Sequence, residues 1–352
     1  DAVYSVNTSR QFNFTISRKG LRSLGNYQNF ITSGSNFKLI TNYFSKNKKY
    51  FLRTHYANQK LFAEQNGGIT NSDIENFENG VNQYLDRGVF DPNFENAHNE
   101  LLGKRFYIDQ VYKFHKNDTL NKSRLEVYNS VLIEEKQYKF QQSSLDEFFG
   151  EGFSSQQVND KTFLNTFKIK AGLNFKSDKL GDVTAGLIFR DEKYSLQNFE
   201  IEDYVDPNRS INSSTVYLSA GYSKKIKQTQ FNFSSSNYLF GDSESSSIKS
   251  TIELDLKKKN SLKIALSLLN STPDYNQLLF SSNYVNYNWD NEFQNIKTKV
   301  LSLNLKLDKI INLDVDYTNI ANHIQFEQIE TGSTENGFTY SIKPIQHESL
   351  ID

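Results

Sequence analysis

Charged side chains recur at every second position in several short segments of this 352-residue chain. Arg53 and His55 are two positions apart, and so are Lys168 and Lys170. Because side chains two positions apart on a strand lie on the same face, each such pair would project together. Rows of charges of both signs can tune the passage of ions or solutes through a pore. They can equally pair across strands and fill an interior, and the sequence leaves both interpretations open.

The candidate interior-facing residues share three properties: they are ionisable, they lie in segments with strand character, and apolar residues flank them. They are Arg53, His55, Arg105, Asp109, Arg124, Glu126, Lys168, Lys170, Arg190, Glu253, Asp255, Lys306, Asp314 and Asp316. Both signs of charge are present, so the sequence predicts no strong preference for anions or cations.

The histidines and cysteines do not indicate a catalytic or metal site. The chain has no cysteine, and its histidines, which lack the spacing of a zinc motif, are His55, His98, His115, His323 and His347. A hydrolase would need a serine or aspartate beside a histidine in space, whereas a lone strand histidine is usually structural. The sequence therefore predicts a protein that is not an enzyme and has no cofactor or metal.

Carboxylates also gather in a long polar segment that begins at Glu64. They lack the spacing of a calcium-binding loop, so we interpret them as a solvated acidic surface. The Asn66-Gly67-Gly68 triplet within this segment predicts a turn with positive φ. The chain has a net charge of −1 and no basic and aromatic surface, which argues against a nucleic-acid partner.

Apolar residues occupy the positions between the charges. In the segment from Leu301 to Leu307, every second residue is leucine and the others are polar. A strand of a membrane barrel needs such an apolar face against lipid and a polar face inside, over about 9–11 residues. The residues expected to face lipid are Phe12, Phe14, Ile16, Leu125, Val127, Val131, Ile133, Phe163, Phe167, Ile169, Leu173, Phe175, Phe231, Phe233, Ile252, Leu254, Leu256, Leu262, Ile264, Leu266 and Leu268.

The alternation predicts about 14 strands, joined in turn by short turns and long loops. The expected strands lie at 10–18, 36–45, 50–62, 104–115, 123–134, 162–176, 182–195, 214–226, 229–240, 247–258, 261–269, 298–308, 311–324 and 337–343. The expected turns lie at 45–49, 115–122, 176–182, 224–229, 257–261 and 308–310, and the long loops at 19–35, 63–103, 135–161, 191–213 and 270–297. In outer-membrane barrels the short turns face the periplasm and the long loops face outside.

Composition distinguishes this interpretation from two alternatives. Hydrophobic residues make up only 37% of the chain while aromatic residues reach 14%, which is unfavourable for a soluble core but typical of a barrel with aromatic girdles. A soluble β-sandwich would have shorter strands, and a disordered chain would lack the regular alternation. Aromatic residues at strand ends, such as Tyr43 and Tyr50, predict the girdles, whereas those from Tyr284 to Trp289 fit packing inside a loop equally well.

Several segments resemble the putative porin family of Bacteroidetes-type outer membranes. The resemblance rests on Ser23-Leu24-Gly25-Asn26-Tyr27-Gln28, on Tyr43-Phe44-Ser45-Lys46-Asn47-Lys48-Lys49-Tyr50 and on Glu64-Gln65-Asn66-Gly67-Gly68-Ile69. It continues in Tyr284-Val285-Asn286-Tyr287-Asn288-Trp289-Asp290-Asn291-Glu292-Phe293 and in Tyr317-Thr318-Asn319-Ile320-Ala321-Asn322. It implies an outer-membrane barrel with pore activity and brings no catalytic residues with it.

The expectation is therefore an all-β, transmembrane, antiparallel up-and-down β-barrel in the bacterial outer membrane. Residues 1–352 would form a single barrel domain, truncated at one or both ends and part of a larger barrel. Its partner would be outer-membrane lipid, and its function the passive passage of small solutes. The alternative is a non-conducting barrel subunit of a larger outer-membrane complex, in which the long loops 63–103 and 270–297 dock partners or fold in as a plug.

Overall fold

The structure is a computed structural model that describes residues 1–114, 123–154, 157–197, 209–256, 260–308, 310–334 and 337–351. The strands are β1 (Ala2–Asn7), β2 (Phe12–Ser23), β3 (Thr32–Phe44), β4 (Tyr50–Gln65), β5 (Ala97–Lys113), β6 (Ser123–Gln142), β7 (Val158–Ser177), β8 (Gly181–Leu196), β9 (Ser210–Ile226), β10 (Thr229–Gly241), β11 (Ser246–Leu256), β12 (Asn260–Ser271), β13 (Leu279–Phe280), β14 (Trp289–Asp290), β15 (Ile296–Leu307), β16 (Ile311–Thr334) and β17 (Gly337–Ile351). The helices are α1 (Asn71–Glu78) and α2 (Tyr275–Leu278), with 3-10 turns at Asn82–Leu85, Arg87–Val89 and Glu147–Phe149. None of the helices in the described part is long and apolar enough to cross a membrane.

All the long strands belong to a 15-stranded antiparallel sheet in which each strand pairs with its neighbours in sequence. The short strands β13 and β14 form a separate hairpin between β12 and β15. Within the described residues, β1 pairs only with β2, and β17 pairs only with β16. The predicted all-β, up-and-down architecture is confirmed, with 15 strands where the sequence predicted about 14.

The strand registers place the predicted lipid-facing residues on one continuous face, which we call the apolar face. Ile16 is opposite Leu39, and the row continues across the sheet through Tyr56, Phe106 and Ile133. On the later strands, Ile252, Ile264 and Leu303 form a similar row. Many of these side chains are exposed, and Leu187 and Leu301 keep about half of their surface free. Exposing so many apolar side chains to water would be unfavourable in free energy, but in a membrane lipid covers such a surface.

Charged residues on the same face mark where the apolar face ends. Lys104, Glu135 and Asp191 point the same way as the apolar residues but lie toward the long loops. Beyond them, Glu100 forms ion pairs with Lys60 and Lys139. Charges on the lipid-facing side are tolerated only outside the hydrocarbon region. Several strands therefore continue past the membrane toward the long loops.

This extension explains where the sequence-based strand bounds are wrong. β6 reaches Gln142 and β5 begins at Ala97, although both regions were predicted to be loops. Outside the membrane both faces of a strand contact water or loops, so the apolar alternation that locates strands disappears. The six-residue β1 was missed because its alternation is too short to recognise, although it pairs in register with β2. The predicted turns 115–122 and 257–261 lie largely outside the described residues.

The turn between β3 and β4 carries tyrosines that the sequence assigned to the aromatic girdle. Tyr43 and Tyr50 lie on the apolar face with ring centroids 6.2 Å apart, while Phe44 and Phe51 stack on the opposite face. Tyr284 and Trp289 do not belong to a girdle, because both are buried within a loop. Of the two interpretations given for this aromatic stretch, packing inside a loop is the one that the structure favours.

Candidate functional site

The predicted interior-facing residues all lie on the face opposite the apolar one, which we call the polar face. Arg53 is opposite Asp109, Lys168 is opposite Arg190, and Glu253 is opposite Lys263. Continuing these registers from strand to strand places every predicted residue from β4 to β16 on the same side. That this face borders a water-filled passage stays a prediction.

Many of the charges on the polar face are paired. Ion pairs join Arg53 to Asp109, Arg105 to Glu134, Glu126 to Lys176, Arg190 to Glu192, Asp255 to Lys225 and Glu253 to Lys263. The pairs lie on strands from β4 to β12, so they form no single cluster. Of the two interpretations left open by the sequence, charge pairing applies to these residues, and it does not by itself exclude a pore.

The other predicted residues make different contacts. His55 stacks on Tyr107 with ring centroids 5.2 Å apart, and Lys170 Nζ lies 5.3 Å from the centre of the Tyr128 ring. Asp314 accepts a hydrogen bond from Asn304, its cross-strand neighbour. Asp316 and Asp314 border a smaller cavity of about 530 Å³. Arg124 and Lys306 lie on the same face, near the turn ends of β6 and β15.

A cavity of about 920 Å³ is bordered by the polar face. Its lining includes Leu101 on β5 and Phe326 on β16, so the sheet curves far enough for distant strands to share one space. Lys168 and Arg190 are the two predicted residues that border it. His55 and Arg105 border a second cavity of about 490 Å³.

A loop between β12 and β15 forms part of the wall of the larger cavity. This inner loop, residues 272–295, carries α2 and the β13–β14 hairpin. The Tyr275 hydroxyl donates to Glu192 Oε2 at 2.9 Å, and the Tyr194 hydroxyl donates to the Leu279 carbonyl at 3.1 Å. The rings of Tyr194 and Tyr275 stack at 5.7 Å. The inner loop is thus attached to the polar face of β8, well away in sequence.

A second attachment joins the inner loop to β6 and β7. The Tyr284 hydroxyl donates to Gln142 Oε1 at 2.6 Å and accepts a hydrogen bond from the Asp146 backbone at 3.0 Å. Tyr284 and Gln142 are almost completely buried. The buried Asp160 carboxylate accepts hydrogen bonds from the Ser282 side chain and the Asn283 backbone. Burial raises the pKa of the Tyr284 phenol, so it stays a neutral donor at physiological pH.

Hydrogen bonds within the inner loop fix its own shape. The Asn288 side chain donates to the Tyr284 carbonyl at 2.7 Å and accepts from the Ser282 backbone at 3.0 Å. The Trp289 indole N–H donates to the Asn276 carbonyl at 2.8 Å, and its ring stacks on Phe280 at 5.0 Å. A buried loop must satisfy its backbone groups internally, and these side chains do so.

Sequence reasoning missed the residues that hold the inner loop. Glu192 is two positions from Arg190 on the same face, so the alternation could have identified it. Tyr275 and Tyr284 lie in a segment without periodicity, and only the density of aromatic residues and asparagine indicated ordered packing there. The inner loop packs against the polar face, and whether it plugs the barrel, as one interpretation of 270–297 proposed, stays a prediction.

The carboxylates of the long loop between β4 and β5 do not converge. Asp73 accepts a hydrogen bond from the Asp91 backbone at 2.6 Å and closes the loop on itself. Gly67 and Gly68 have φ of 67° and 86°, as the predicted turn requires. Across the described ranges, no group of three or more histidines or carboxylates is placed to hold a metal ion.

Known structures with a similar fold are outer-membrane receptors. The siderophore receptor PirA of Pseudomonas aeruginosa aligns with a TM-score of 0.59 at 8% identity, covering 99% of this chain and 56% of the receptor. A ferric enterobactin receptor mutant from the same organism gives 0.57 at 10% identity, covering 99% and 55%. The ferric preacinetobactin receptor of Acinetobacter baumannii gives 0.55 at 11% identity, covering 99% and 56%. At such identities the likeness shows the fold alone.

The chain spans just over half the length of these receptors. No curated protein matches it. The fold, the apolar face and the family match agree on a β-barrel of the bacterial outer membrane, with lipid against its apolar face. The model of the family described as putative porin matches residues 1–349, so the chain belongs to the putative porin family.

Proposed function

We propose that this barrel lets small solutes cross the outer membrane passively through its interior, along the polar face and past the inner loop. The observation that carries the proposal is the cavity of about 920 Å³, which the polar face and the inner loop border together. Its volume lies within the range of about 300–1,000 Å³ that is typical of small-molecule sites. Paired charges on the polar face would let neutral solutes pass without a large electrostatic barrier.

The inner loop would set the size limit of this passage. It is held at two separated places, by Glu192 and Tyr194 on β8 and by Gln142 on β6. A loop attached on two sides narrows the interior without moving as solutes pass. Solutes smaller than the space beside the loop would cross, and larger ones would be excluded.

Conductance of the purified protein tests the proposal. The full-length protein, extracted from outer membranes in mild detergent, is added to a planar lipid bilayer. We expect stepwise increases in current, and larger steps when residues 275–290 are replaced by a short Gly-Ser linker. The matched control is Tyr238→Phe, which removes an exposed hydroxyl outside the inner loop that donates to the Gly241 carbonyl. Absence of current from both the native protein and the shortened variant would refute passive passage.

A non-conducting subunit of a larger outer-membrane complex is the second candidate. The observation that favours it is the same inner loop, which is buried against the interior face rather than free in solvent. Affinity purification of the tagged full-length protein in mild detergent, followed by stoichiometric mass spectrometry, separates the two candidates. Co-purification of an unrelated partner in a fixed ratio, together with no current in the bilayer recordings, would favour the non-conducting subunit of a larger complex. If the barrel is isolated without a partner and conducts current, passive passage of solutes is favoured.

A further inference from the structure

The lining of the large cavity combines aromatic side chains with neutral polar groups. Aromatic side chains come from the inner loop and from β16, including Tyr287, Trp289 and Phe326. Neutral hydroxyl groups come from the loop ends of β11 and β12, including Ser247 and Ser271. A ligand that fits this lining must offer apolar faces and a rim of hydroxyl groups at the same time.

The aromatic part of the lining is held rigidly. The Trp289 ring is fixed by its hydrogen bond to the Asn276 carbonyl and by stacking on Phe280. Phe326 lies with its ring centroid 5.6 Å from that of Trp289 and at 61° to it, and about half of Phe326 is exposed. Aromatic faces carry negative partial charge, so they attract the slightly positive C–H groups of a saturated ring.

The polar part of the lining can bond to ligand hydroxyl groups. Ser247 is opposite Leu269, and the register places both on the polar face, which borders the cavity. A serine hydroxyl both donates and accepts hydrogen bonds, so Ser247 and the neighbouring Ser271 can bond to either kind of ligand group.

Two of the cations that border the cavity are paired, whereas Lys168, opposite Arg190, forms no ion pair with a described residue. Arg190 pairs with Glu192 at 2.7 Å, and Lys136 pairs with Glu134 at 3.0 Å. A polyanionic ligand would have to compete with these acidic partners for the cations. A neutral ligand leaves both pairs intact.

We infer that the cavity is a binding site for a short neutral saccharide, one of whose pyranose rings packs on the half-exposed Phe326 beside Trp289 while its hydroxyl groups bond to the Ser247 and Ser271 side. A pyranose ring has C–H groups on its faces and hydroxyl groups around its rim, which is the combination that the lining requires. The inference rests on the proposed function, because it names the class of solute that uses the passage.

Fluorescence of Trp289 reports on the site directly. Trp289 is the one tryptophan in the sequence of 352 residues. Detergent-purified full-length protein is titrated with a panel of neutral trisaccharides of glucose, galactose, mannose, xylose and N-acetylglucosamine. The spectrum of the Trp289→Phe variant is subtracted, which removes any emission from elsewhere in the protein. We expect at least one trisaccharide to give a saturable change in the difference spectrum.

Two variants connect that signal to the proposed contacts. Phe326→Ala removes an exposed aromatic wall while keeping the reporter, and we expect binding to weaken by up to about tenfold. The control Phe240→Ala removes an exposed aromatic side chain that does not border the cavity, and it should leave binding unchanged. Each variant is accepted only if it shows the native heat-dependent mobility of a folded barrel in gel electrophoresis.

The outcomes separate this inference from the proposed function. No saturable change with any trisaccharide, or equal weakening by both variants, would overturn the saccharide site. If the bilayer recordings then still show conductance, passive passage stands with another class of solute. If saccharides bind but no current is seen, the saccharide site is supported and passive passage is refuted.

Discussion

Glu192 is the residue through which the polar face, the inner loop and the cavity are joined. Its carboxylate contacts Arg190 at 2.7 Å, Thr166 at 3.1 Å and Tyr275 at 2.9 Å, and its side chain is only 7% exposed. Both Arg190 and Glu192 lie on the polar face at alternate positions of β8. Alternation alone was sufficient to place Arg190 on this face. It could not supply the hydrogen-bond partner Tyr275, because that contact depends on how a loop without periodicity folds.

Removing the charge of Glu192 should change ion selectivity. In Glu192→Gln, Arg190 loses its partner, so the wall of the passage gains net positive charge and current should shift toward anions. The measurement is the reversal potential in a salt gradient across a planar bilayer. The control is Asp255→Asn, which breaks the exposed pair with Lys225 and should shift the potential much less, because water and salt screen exposed pairs. Equal shifts in both variants would contradict a passage beside Glu192.

A charge at Leu187, on the apolar face, should destabilise the barrel. This side chain is 51% exposed and lies among Ala185 and Phe189 on the same strand face. A lysine near the middle of the lipid-facing band should destabilise the barrel by about 2–4 kcal/mol. Urea-induced unfolding in lipid vesicles measures the loss, with Leu187→Phe as the control that keeps the position apolar. A Leu187→Lys barrel as stable as the native one would place this face away from lipid.

At the scale of the strands, a pair of glycines on β7 and β8 makes room for an aromatic ring. Gly172 and Gly186 are directly opposite each other, and a Cβ on either would come within 2.5 Å of the Tyr128 hydroxyl. A Cβ on Gly172 would also lie 2.2 Å from the Ala185 carbonyl oxygen, which is backbone and cannot move away easily. Nothing in the alternation indicates this packing, since glycine has no side chain to count on either face.

Gly172→Ala should therefore destabilise the barrel, by about 1–3 kcal/mol as in other overpacked sites. Gly103→Ala is the matched control, because it lies within β5 and a Cβ there would meet nothing within 4 Å. In the control, alanine should be neutral or slightly stabilising, since glycine loses more backbone freedom on folding. Urea unfolding in vesicles compares the two, and equal stability of both variants would contradict the close approach of Tyr128 to the glycine pair.

The inner loop makes a prediction at the scale of a whole element. In Tyr284→Phe, Gln142 loses a 2.6 Å hydrogen bond and the Asp146 backbone loses its acceptor. The free energy of opening the inner loop should therefore fall by about 1–3 kcal/mol. Amide hydrogen exchange of residues 275–290 should accelerate while the strands stay protected. Tyr238→Phe, at an exposed hydroxyl, should leave these amides unchanged. Unaltered exchange in Tyr284→Phe would mean that this contact does not hold the loop.

The sequence predicts the strands of this molecule better than its strand ends or its loops. Within the lipid-facing band, solvent differs on the two faces, so residues such as Leu301 and Leu303 alternate visibly with polar ones. Beyond the band, both faces of β6 meet polar surroundings, and residues 135–142 lose the pattern although they remain paired. The inner loop is determined by contacts that are distant in sequence, such as Tyr284 with Gln142, and no local pattern encodes those.

At the scale of the whole molecule, the 15-stranded sheet raises the question of closure. Successive strands are antiparallel, so the first and the fifteenth strand of the sheet run in the same direction. Direct closure between β1 and β17 would therefore need a parallel pair, whereas bacterial single-chain barrels have even strand numbers. An unpaired edge in lipid is also excluded by the cost of bare amides. We therefore expect further strands between β1 and β17 in the membrane.

Disulfide cross-linking tests this expectation, because the sequence has no cysteine of its own. Cysteines are placed at Ser5 and Ile345 of the full-length protein, and neighbouring positions of both strands are scanned. The positive control is Val3→Cys with Ser17→Cys, which are opposite each other on β1 and β2 and should be joined on oxidation. If no β1–β17 pair cross-links in native membranes while the control does, other strands complete the barrel. A β1–β17 cross-link would mean that 15 strands close on themselves through a parallel pair, and the passage would be narrower than a barrel with additional strands allows, since barrel diameter grows with strand number.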